Sequence, residues 1–532
     1  MSILANLRRL SIAAGLGALA LSASVTPALA QSNVLKVVPN ADLRLLDPVQ
    51  TVTLITRMHG TLIYEALFAW DSKFESKPMM AESYTVSPDG RSYRFTLRPG
   101  LKFHDGQPVT AADVVPSLKR WITRGQVGGE LGKFVKDWQI HDQRSFTLTL
   151  NEPFGLTIFL LGGTTGTLPI VMRAKDAAVD AFTPITEAVG SGPFKFNRAE
   201  WVPGSRTVYD KNTDYVPRGE PTDGLAGARL VKVDRVEYVV IPDAATQVAA
   251  LSRGEVDFLD QPRIDLMPQL AKNPQVVVDT LSPLDTYAHM RPNHLVPPFN
   301  NPKARLALAA SVFQPDYLNA TAGDQKLWRE CRSYFICGGP EGTEAGAEDF
   351  KKPNPERAKQ LLAEAGYKGE PVVLLSTTEI PTIYSLSQVA AAQLKAIGIN
   401  VDLQLPDWGT TVARTQKKDP ASQGGWNLFV TTAGGVYAQN PLLNSNIETS
   451  CEGKNNVGWP CDEQAEKLRG QWVRTADAAQ RKVALEALHR RLWEVQPTVL
   501  LGQFNPPSAW RANLKGVLKM PINIFWNIEK GS

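Results

Sequence analysis

Residues 78–120, PMMAESYTVSPDGRSYRFTLRPGLKFHDGQPVTAADVVPSLKR, constrain the fold of this chain more than any other run. Two extended stretches alternate with turn signals and end at a helix start. Ser87-Pro88-Asp89-Gly90 predicts a turn, because proline presets φ and glycine accepts φ > 0. Over 91–97, Tyr93, Phe95 and Leu97 fall on one face, the period of a half-buried strand. Pro99-Gly100 and Asp105-Gly106 are further turns. Thr110 followed by Asp113 places an N-cap oxygen before an acid at the third helical position. The run therefore predicts a β-hairpin followed by a helix, and by itself carries no function.

Residues 1–30 read as an export signal and are set apart from the fold. Arg8 and Arg9 supply the positive start, residues 10–21 the apolar stretch, and Ala28-Leu29-Ala30 a small-x-small cleavage site before Gln31. That stretch is too short to cross a bilayer, and nothing later approaches about 18 uninterrupted apolar residues. No cysteine lies near the cleavage site, which argues against a lipid anchor. Arg8-Arg9 leaves twin-arginine export open beside the ordinary Sec route. The expected product is an exported protein free in solution. Its 532 residues predict two to four domains. The formal charge of +4 loses both signal arginines on cleavage, so there is no concentrated basic face for nucleic acid.

The four cysteines fall as two close pairs, Cys331/Cys337 and Cys451/Cys461. In an oxidising compartment each pair reads as a local disulfide, closing a loop worth roughly 2–3 kcal/mol in the chain-entropy model. The rival is a zinc site of four thiolates. Its usual knuckles have two to four intervening residues, against five and nine here.

Along the chain, 34–38 reads as a strand and 53–67 as a helix, with Ile55, Met58, Leu62 and Leu67 near one face. A second hairpin is expected over 137–150, turning at Asp142-Gln143. Residues 189–194 open another β region, continued by 206–209 and 234–241. Asp243 caps a helix through Leu251, and 254–258 returns to a strand. Further on, 355–366 is an amphipathic helix with a glycine stop. Residues 385–397 form a helix feeding a strand at 401–405, and a long helix over 476–495 leads into 497–502. Alternating segments of this kind give an α/β class, without internal repeats.

The 78–120 run, Gly190-Ser191-Gly192-Pro193-Phe194, Asn212, Tyr215, Asp243, Gly254 and Asp257 closely resemble the signature of the family 5 extracytoplasmic solute-binding proteins of ABC importers. Asn293, Pro297-Pro298-Phe299, Arg305 and the 355–366 helix extend the resemblance over nearly all of the chain after the signal. Val312-Phe313-Gln314 departs from the family's Ile-Asp-Arg and marks a subfamily. That family binds peptides, nickel complexes, opines and some sugars. The resemblance implies an α/β, two-lobe periplasmic-binding-protein fold (type II, cluster C-like). Lobe 1 would span 31–285 with an inserted subdomain at about 75–185, lobe 2 286–498, and 499–532 would return to lobe 1. Crossings near 275–287 and 498–504 would form a hinge that closes on ligand. It also implies a periplasmic monomer without cofactor, delivering a small-molecule or peptide-like ligand to the transmembrane subunits of an ABC permease.

No GxSxG, HExxH or P-loop is present, and the only Gly-x-Gly before 190 lies in the signal. His289 and His294 are the one close histidine pair, and a turn with Pro292 separates them. The chain is therefore expected to bind rather than catalyse. The alternatives are an exported chaperone-like or chemosensory binding protein and, further off, an exported hydrolase, which would need a dispersed triad.

The expected pocket loop follows a strand at 426–430 and reads GGVYAQNP over 434–441. Peptide-binding members of the family carry an aspartate here that pairs with the ligand's α-amino group. The matching position in this chain is Tyr437, and the loop holds no acid. An ammonium desolvated without a carboxylate costs on the order of 3–5 kcal/mol, about 10²–10³ in affinity. Tyr437 and Asn440 are thus candidate ligand contacts, with plain loop packing as the competing role. Glu379, after the strand at 372–375, and Arg291, a bidentate partner for carboxylate or phosphate, are candidate replacements for the missing anchor. Each has a surface or lobe-closure role as its competitor. Trp408 is a candidate apolar wall, and Trp426 reads first as core. Peptide-binding relatives also carry a disulfide just after this loop, where Cys451 and Cys461 stand.

Overall fold

The computed structural model describes residues 33–451, 457–475 and 477–531. The export signal read over 1–30 lies outside the described residues, among which no helix is long and apolar enough to cross a membrane.

Lobe 1 begins with β1 (Val34–Val38) and α1 (Leu54–Ile63). The expected helix over 53–67 ends at Ile63, because Gly192 N–H takes the Ile63 carbonyl (2.9 Å) and Tyr64 turns extended. The approach is close enough to require glycine: a Cβ on Gly190 would lie 1.8 Å from that carbonyl oxygen.

The next four strands form a sheet of their own inside the expected 75–185 insertion. β2 (Ala81–Val86), β3 (Ser92–Leu97), β4 (Val135–Ile140) and β5 (Ser145–Leu150) stand in the order β2-β3-β5-β4, all antiparallel. The turn between β2 and β3 has Gly90 at φ 68°, and Tyr93, Phe95 and Leu97 are buried together. α2 (Ala111–Arg124) starts where Asp113 accepts the Thr110 N–H (2.9 Å).

β6 (Phe194–Phe196), β7 (Arg206–Lys211) and β8 (Arg235–Val239) return the chain to the β1 sheet. α3 (Ala244–Arg253) is capped by Asp243, whose carboxylate accepts the Thr246 N–H (2.7 Å). The strand expected over 254–258 is displaced: Gly254 ends α3 in the left-handed region, and the ladder begins only at β9 (Phe258–Leu259). With β10 (Val276–Asp279) the first half is complete.

The second sheet holds β11 (Thr286–Pro292), β12 (Trp328–Arg329), β13 (Val372–Leu375), β14 (Val401–Gln404), β15 (Leu428–Ala433) and β16 (Val499–Phe504), in the order β12-β16-β11-β15-β13-β14. Strand β15 runs three residues beyond the expected 426–430. β17 (Ser508–Arg511) then re-enters the first sheet, whose order is β10-β17-β9-β1-β8-β7-β6. The chain therefore passes between sheets at 280–285 and 505–507. The crossing expected at 498–504 falls inside β16, an apolar run that is buried throughout and completes lobe 2. The lobe 2 helices include α4 (Pro355–Glu364), α5 (Pro381–Ala396), α6 (Trp408–Thr415), α7 (Glu463–Arg474) and α8 (Ala478–Val495). Helix α5 starts before the expected 385 because Pro381 opens its first turn. Cys331–Cys337 and Cys451–Cys461 are disulfides, both in lobe 2.

The signature segments clasp one another through His104. Its backbone N–H donates to the Gly190 carbonyl (2.8 Å), its Nδ1 accepts the Gly190 N–H (3.3 Å), and its Nε2 donates to the Gly192 carbonyl (3.1 Å). Protonating Nδ1 would set two donors against each other. Burial, opposed by the Gly192 carbonyl, pushes the imidazole down to about 4 from 6.5. The folded form thus resists protonation, and its advantage is lost as pH falls from 6.5 towards 4. His104→Gln should cost about 1–3 kcal/mol at pH 7, where the glycine groups lose their partners. The gap to the parent should narrow by up to about 3 kcal/mol by pH 4. Urea unfolding of both proteins at the two pH values measures this, and a gap independent of pH would contradict it.

Candidate functional site

Three parallel or co-directed strands of lobe 2, β13, β14 and β15, deliver their carboxyl ends to one edge of the sheet. This is the edge at which open α/β sheets bind ligands. Facing it, lobe 1 presents α1 and the end of β9. A cavity of about 190 Å³ lies between them. Leu54, Arg57, Asp260 and Gln261 form its lobe 1 wall, and Gly434 to Tyr437 its lobe 2 wall. Both crossings run along its floor, through Ser282 and Asn505, and Met520 to Asn523 of the C-terminal tail complete it.

The lobe 2 wall is held tightly. Gly435 has no room for a side chain, since a Cβ would lie 2.3 Å from the Asp285 carbonyl oxygen in the first crossing. The Ala438 carbonyl accepts the Ile336 N–H (3.1 Å), which ties the loop to the Cys331–Cys337 segment. The two lobes also touch: Thr165 Oγ1 donates to the Val436 carbonyl (3.4 Å), and Phe74 packs with Tyr437 on the cluster of Leu284, Ile336 and Val436. Arg474 and Glu152 form an exposed ion pair across the cleft (3.8 Å), a contact worth little in water.

Two charged side chains line the cavity, and neither was singled out from sequence. Arg57 is 8 % exposed. Its Nη1 donates to the Thr164 carbonyl (2.8 Å), while its Nε has no partner. Asp260 is 2 % exposed and accepts from the Asn40 N–H (3.1 Å) and from the Asn523 amide. Burial raises its carboxyl from 3.8 to about 7, against the lowering effect of Asn40. Their one signal in the sequence was a charged residue inside the otherwise apolar face of LITRMHGTLI, and an acid closing the strand Phe258–Leu259.

Of the residues singled out from sequence, Tyr437 lines this cavity and is half-buried. Asn440 does not: its side-chain oxygen accepts the Leu442 and Leu443 N–H groups (3.0 and 3.1 Å) and stiffens the loop from behind. Glu379 and Trp408 sit together at the same sheet edge but outside the cavity. The Glu379 carboxylate accepts the Trp408 N–H (3.0 Å), and the indole lies 6.3 Å from the Phe429 ring. Arg291 does not line the cavity. It pairs with Phe429 four residues down β11 from Tyr287 and Ala433 at the cleft end, and its guanidinium bonds His289 Nε2 (3.1 Å) and the Asn446 side chain. Trp426 is fully buried. Among the described residues no three His, Cys, Asp or Glu side chains group as a metal-ion site.

Known proteins share this fold over nearly the whole chain. Residues 75–455 match the model of the bacterial extracellular solute-binding proteins, family 5. A probable peptide ABC transporter periplasmic-binding protein of Sinorhizobium fredii is 38 % identical over 494 residues, 92 % of each chain. The glutathione-binding protein GsiB of Escherichia coli K12 is 27 % identical over 498 residues, 90 % of this chain and 91 % of that protein. Among solved structures, the binding protein AgaA of A. tumefaciens R10 in complex with agropinic acid superposes with a TM-score of 0.78 at 27 % identity, covering 94 % of this chain and 99 % of that one.

The Asp260 environment has a pH signature opposite to that of His104. A carboxyl whose folded value is raised stabilises the fold below 3.8, and that contribution is lost as pH rises towards 7. Across this window the group should withdraw up to about 4 kcal/mol. Asp260→Asn removes the titration, so the variant should gain on the parent between pH 4 and 7. Parallel stability curves for the two proteins would show that the carboxyl does not titrate in that range.

Proposed function

The chain belongs to the bacterial extracellular solute-binding proteins of family 5, and on that premise we propose that it captures a peptide-like or opine-like solute whose α-amine is blocked or absent. It is a solute-binding receptor of an ABC importer. The observation that carries the ligand class is the wall at Gly434 to Tyr437, which faces the cavity with glycine backbone, Val436 and a phenol, and no carboxylate. Asp260 does not fill the gap, because its burial disfavours the ionised form and Asn40 and Asn523 already engage it. The names of the relatives point the same way: one is called a peptide transporter component, one binds glutathione, and one was solved with agropinic acid.

In this reading the receptor works as a monomer in the periplasm after removal of residues 1–30. Lobe 1, with its 75–185 insertion, and lobe 2 close about the crossings at 280–285 and 505–507. The closed form then docks on the transmembrane subunits of the permease. The ligand leaves chemically unchanged, since the cavity offers no nucleophile–base pair.

Two measurements test the proposal. Small-angle scattering should show a smaller radius of gyration at saturating ligand, and an unchanged value would count against a two-lobe trap. Calorimetric titration should find free-amine dipeptides binding weakly and N-acetylated ones more tightly. Tyr437→Asp should reverse that order, gaining about 10²-fold for free amines if the new carboxylate pairs with the ammonium. Tight binding of plain dipeptides by the parent protein would place the amine on another acid.

A further inference from the structure

Of the buried arginines of lobe 1, Arg120 and Arg173 are neutralised by carboxylates, and Arg57 and Arg229 are not. Arg120 pairs with Asp47 (3.0 Å) and also donates to three carbonyls. Arg173 is surrounded by Asp105, Asp176 and Glu187. The half-buried Arg98 pairs with Glu65 (3.2 Å), and Arg229 lies over the Trp526 ring (4.7 Å) while donating to the Tyr64 carbonyl. Arg57, like Arg229, has no carboxylate partner and leaves its Nε without a hydrogen bond. Among the described residues it makes one hydrogen bond, to the neutral Thr164 carbonyl, and no carboxylate lies within ion-pair distance. It is also the one of these five that lines the cavity between the lobes.

Burying a guanidinium with a single neutral partner is unfavourable. With the lobes apart, water solvates the fork. In this structure the Thr164-Thr165 loop already meets Val436, and Arg57 is buried at the cavity wall. The closed form therefore needs an anion at Arg57, and a planar two-oxygen group matches the fork best. Asp260 is the other charged residue on the cavity wall, and it makes no ion pair with Arg57.

We propose that Arg57 is the ligand-selecting residue of lobe 1: it takes a carboxylate of the solute, and that carboxylate makes closure favourable. This rests on the receptor reading above and adds to it a charge requirement. The ligand must carry an acid group oriented towards α1, while its blocked or missing amine faces Tyr437.

The test uses matched probes, a panel of N-acetyl dipeptides each supplied as the free acid and as the C-terminal carboxamide. Calorimetry is run on the whole protein and on Arg57→Gln and Arg57→Lys. The parent should prefer each acid over its carboxamide by about 10²-fold, the loss expected when one partner of a buried charge pair is removed. In Arg57→Gln the preference should fall to near unity. In Arg57→Lys, which keeps the charge without the fork, it should be intermediate. The acid-to-amide ratio is the readout, so a general loss of stability in a variant does not imitate the result. A parent that binds both members of a pair equally, or a ratio that survives in Arg57→Gln, overturns the assignment and leaves the receptor reading standing. A parent that binds no member of the panel sinks both the peptide-like ligand class and the role of Arg57 within it.

Discussion

One hydrogen bond ties together the two passages that the described residues make between the seven-stranded and six-stranded sheets. Asn505 Nδ2, in the second crossing, donates to the Ser282 carbonyl in the first (2.6 Å). Beside it, Ser282 Oγ donates to the Leu284 carbonyl (2.6 Å), and Asn505 N–H reaches the Leu327 carbonyl (2.7 Å). In the proposed closure, two chain segments clamped side by side would permit rotation of one lobe against the other while resisting shear. The cavity lies on these segments, so its floor would stay constant while the angle between the walls changes. Its chemistry then depends on which side chains each wall presents.

Those walls differ in legibility. The hairpin at 81–97, the capped helix after Thr110 and the helix after Asp243 follow from local spacing and turn chemistry, which act within a few residues. Where expectation and structure diverge, a distant segment has intervened. Helix α1 stops four residues early because Gly192 claims the Ile63 carbonyl, and no window around 54–67 contains that information. The strand at 254–258 fails to start because Gly254 is needed as the left-handed end of α3, and Asp257 then spends its carboxylate on Lys36 N–H and Lys530. The second crossing moves past Phe504 because a buried apolar strand is worth more to lobe 2 inside the sheet than as a connection.

The site follows the same logic. Tyr437 is reached through the family resemblance, as the position matching the aspartate of peptide-binding members, and it lines the cavity. Arg291 and Glu379 have suitable chemistry, but β11 carries Arg291 away from the cleft and the first turn of α6 engages Glu379. Arg57 and Asp260 come from segments about 200 residues apart and share a wall only in the folded cavity, where the parallel pairing of β1 with β9 sets Asp260. A residue's charge is visible in a sequence. Whether anything neutralises it is a property of the fold.

That distinction decides how the two lobes share the work of recognition. The lobe 2 wall is rigid and neutral: Asn440 fixes the turn behind it, Ile336 holds Ala438 from the side, and Gln503 bonds the neighbouring segment at both Cys337 N–H and the Phe335 carbonyl. A wall of that kind selects by shape and by what it refuses, which in the proposed reading is an unpaired ammonium. The lobe 1 wall carries the unneutralised charge and selects by what it requires. Neither wall is a binding site alone. Lobe 2 without Arg57 offers little beyond contact area, and Arg57 without lobe 2 remains hydrated and indifferent to most anions in water. In the proposed reading, selectivity arises in the closing step, when the neutral wall removes water from the guanidinium and only a solute that satisfies both surfaces lowers the free energy of the closed form.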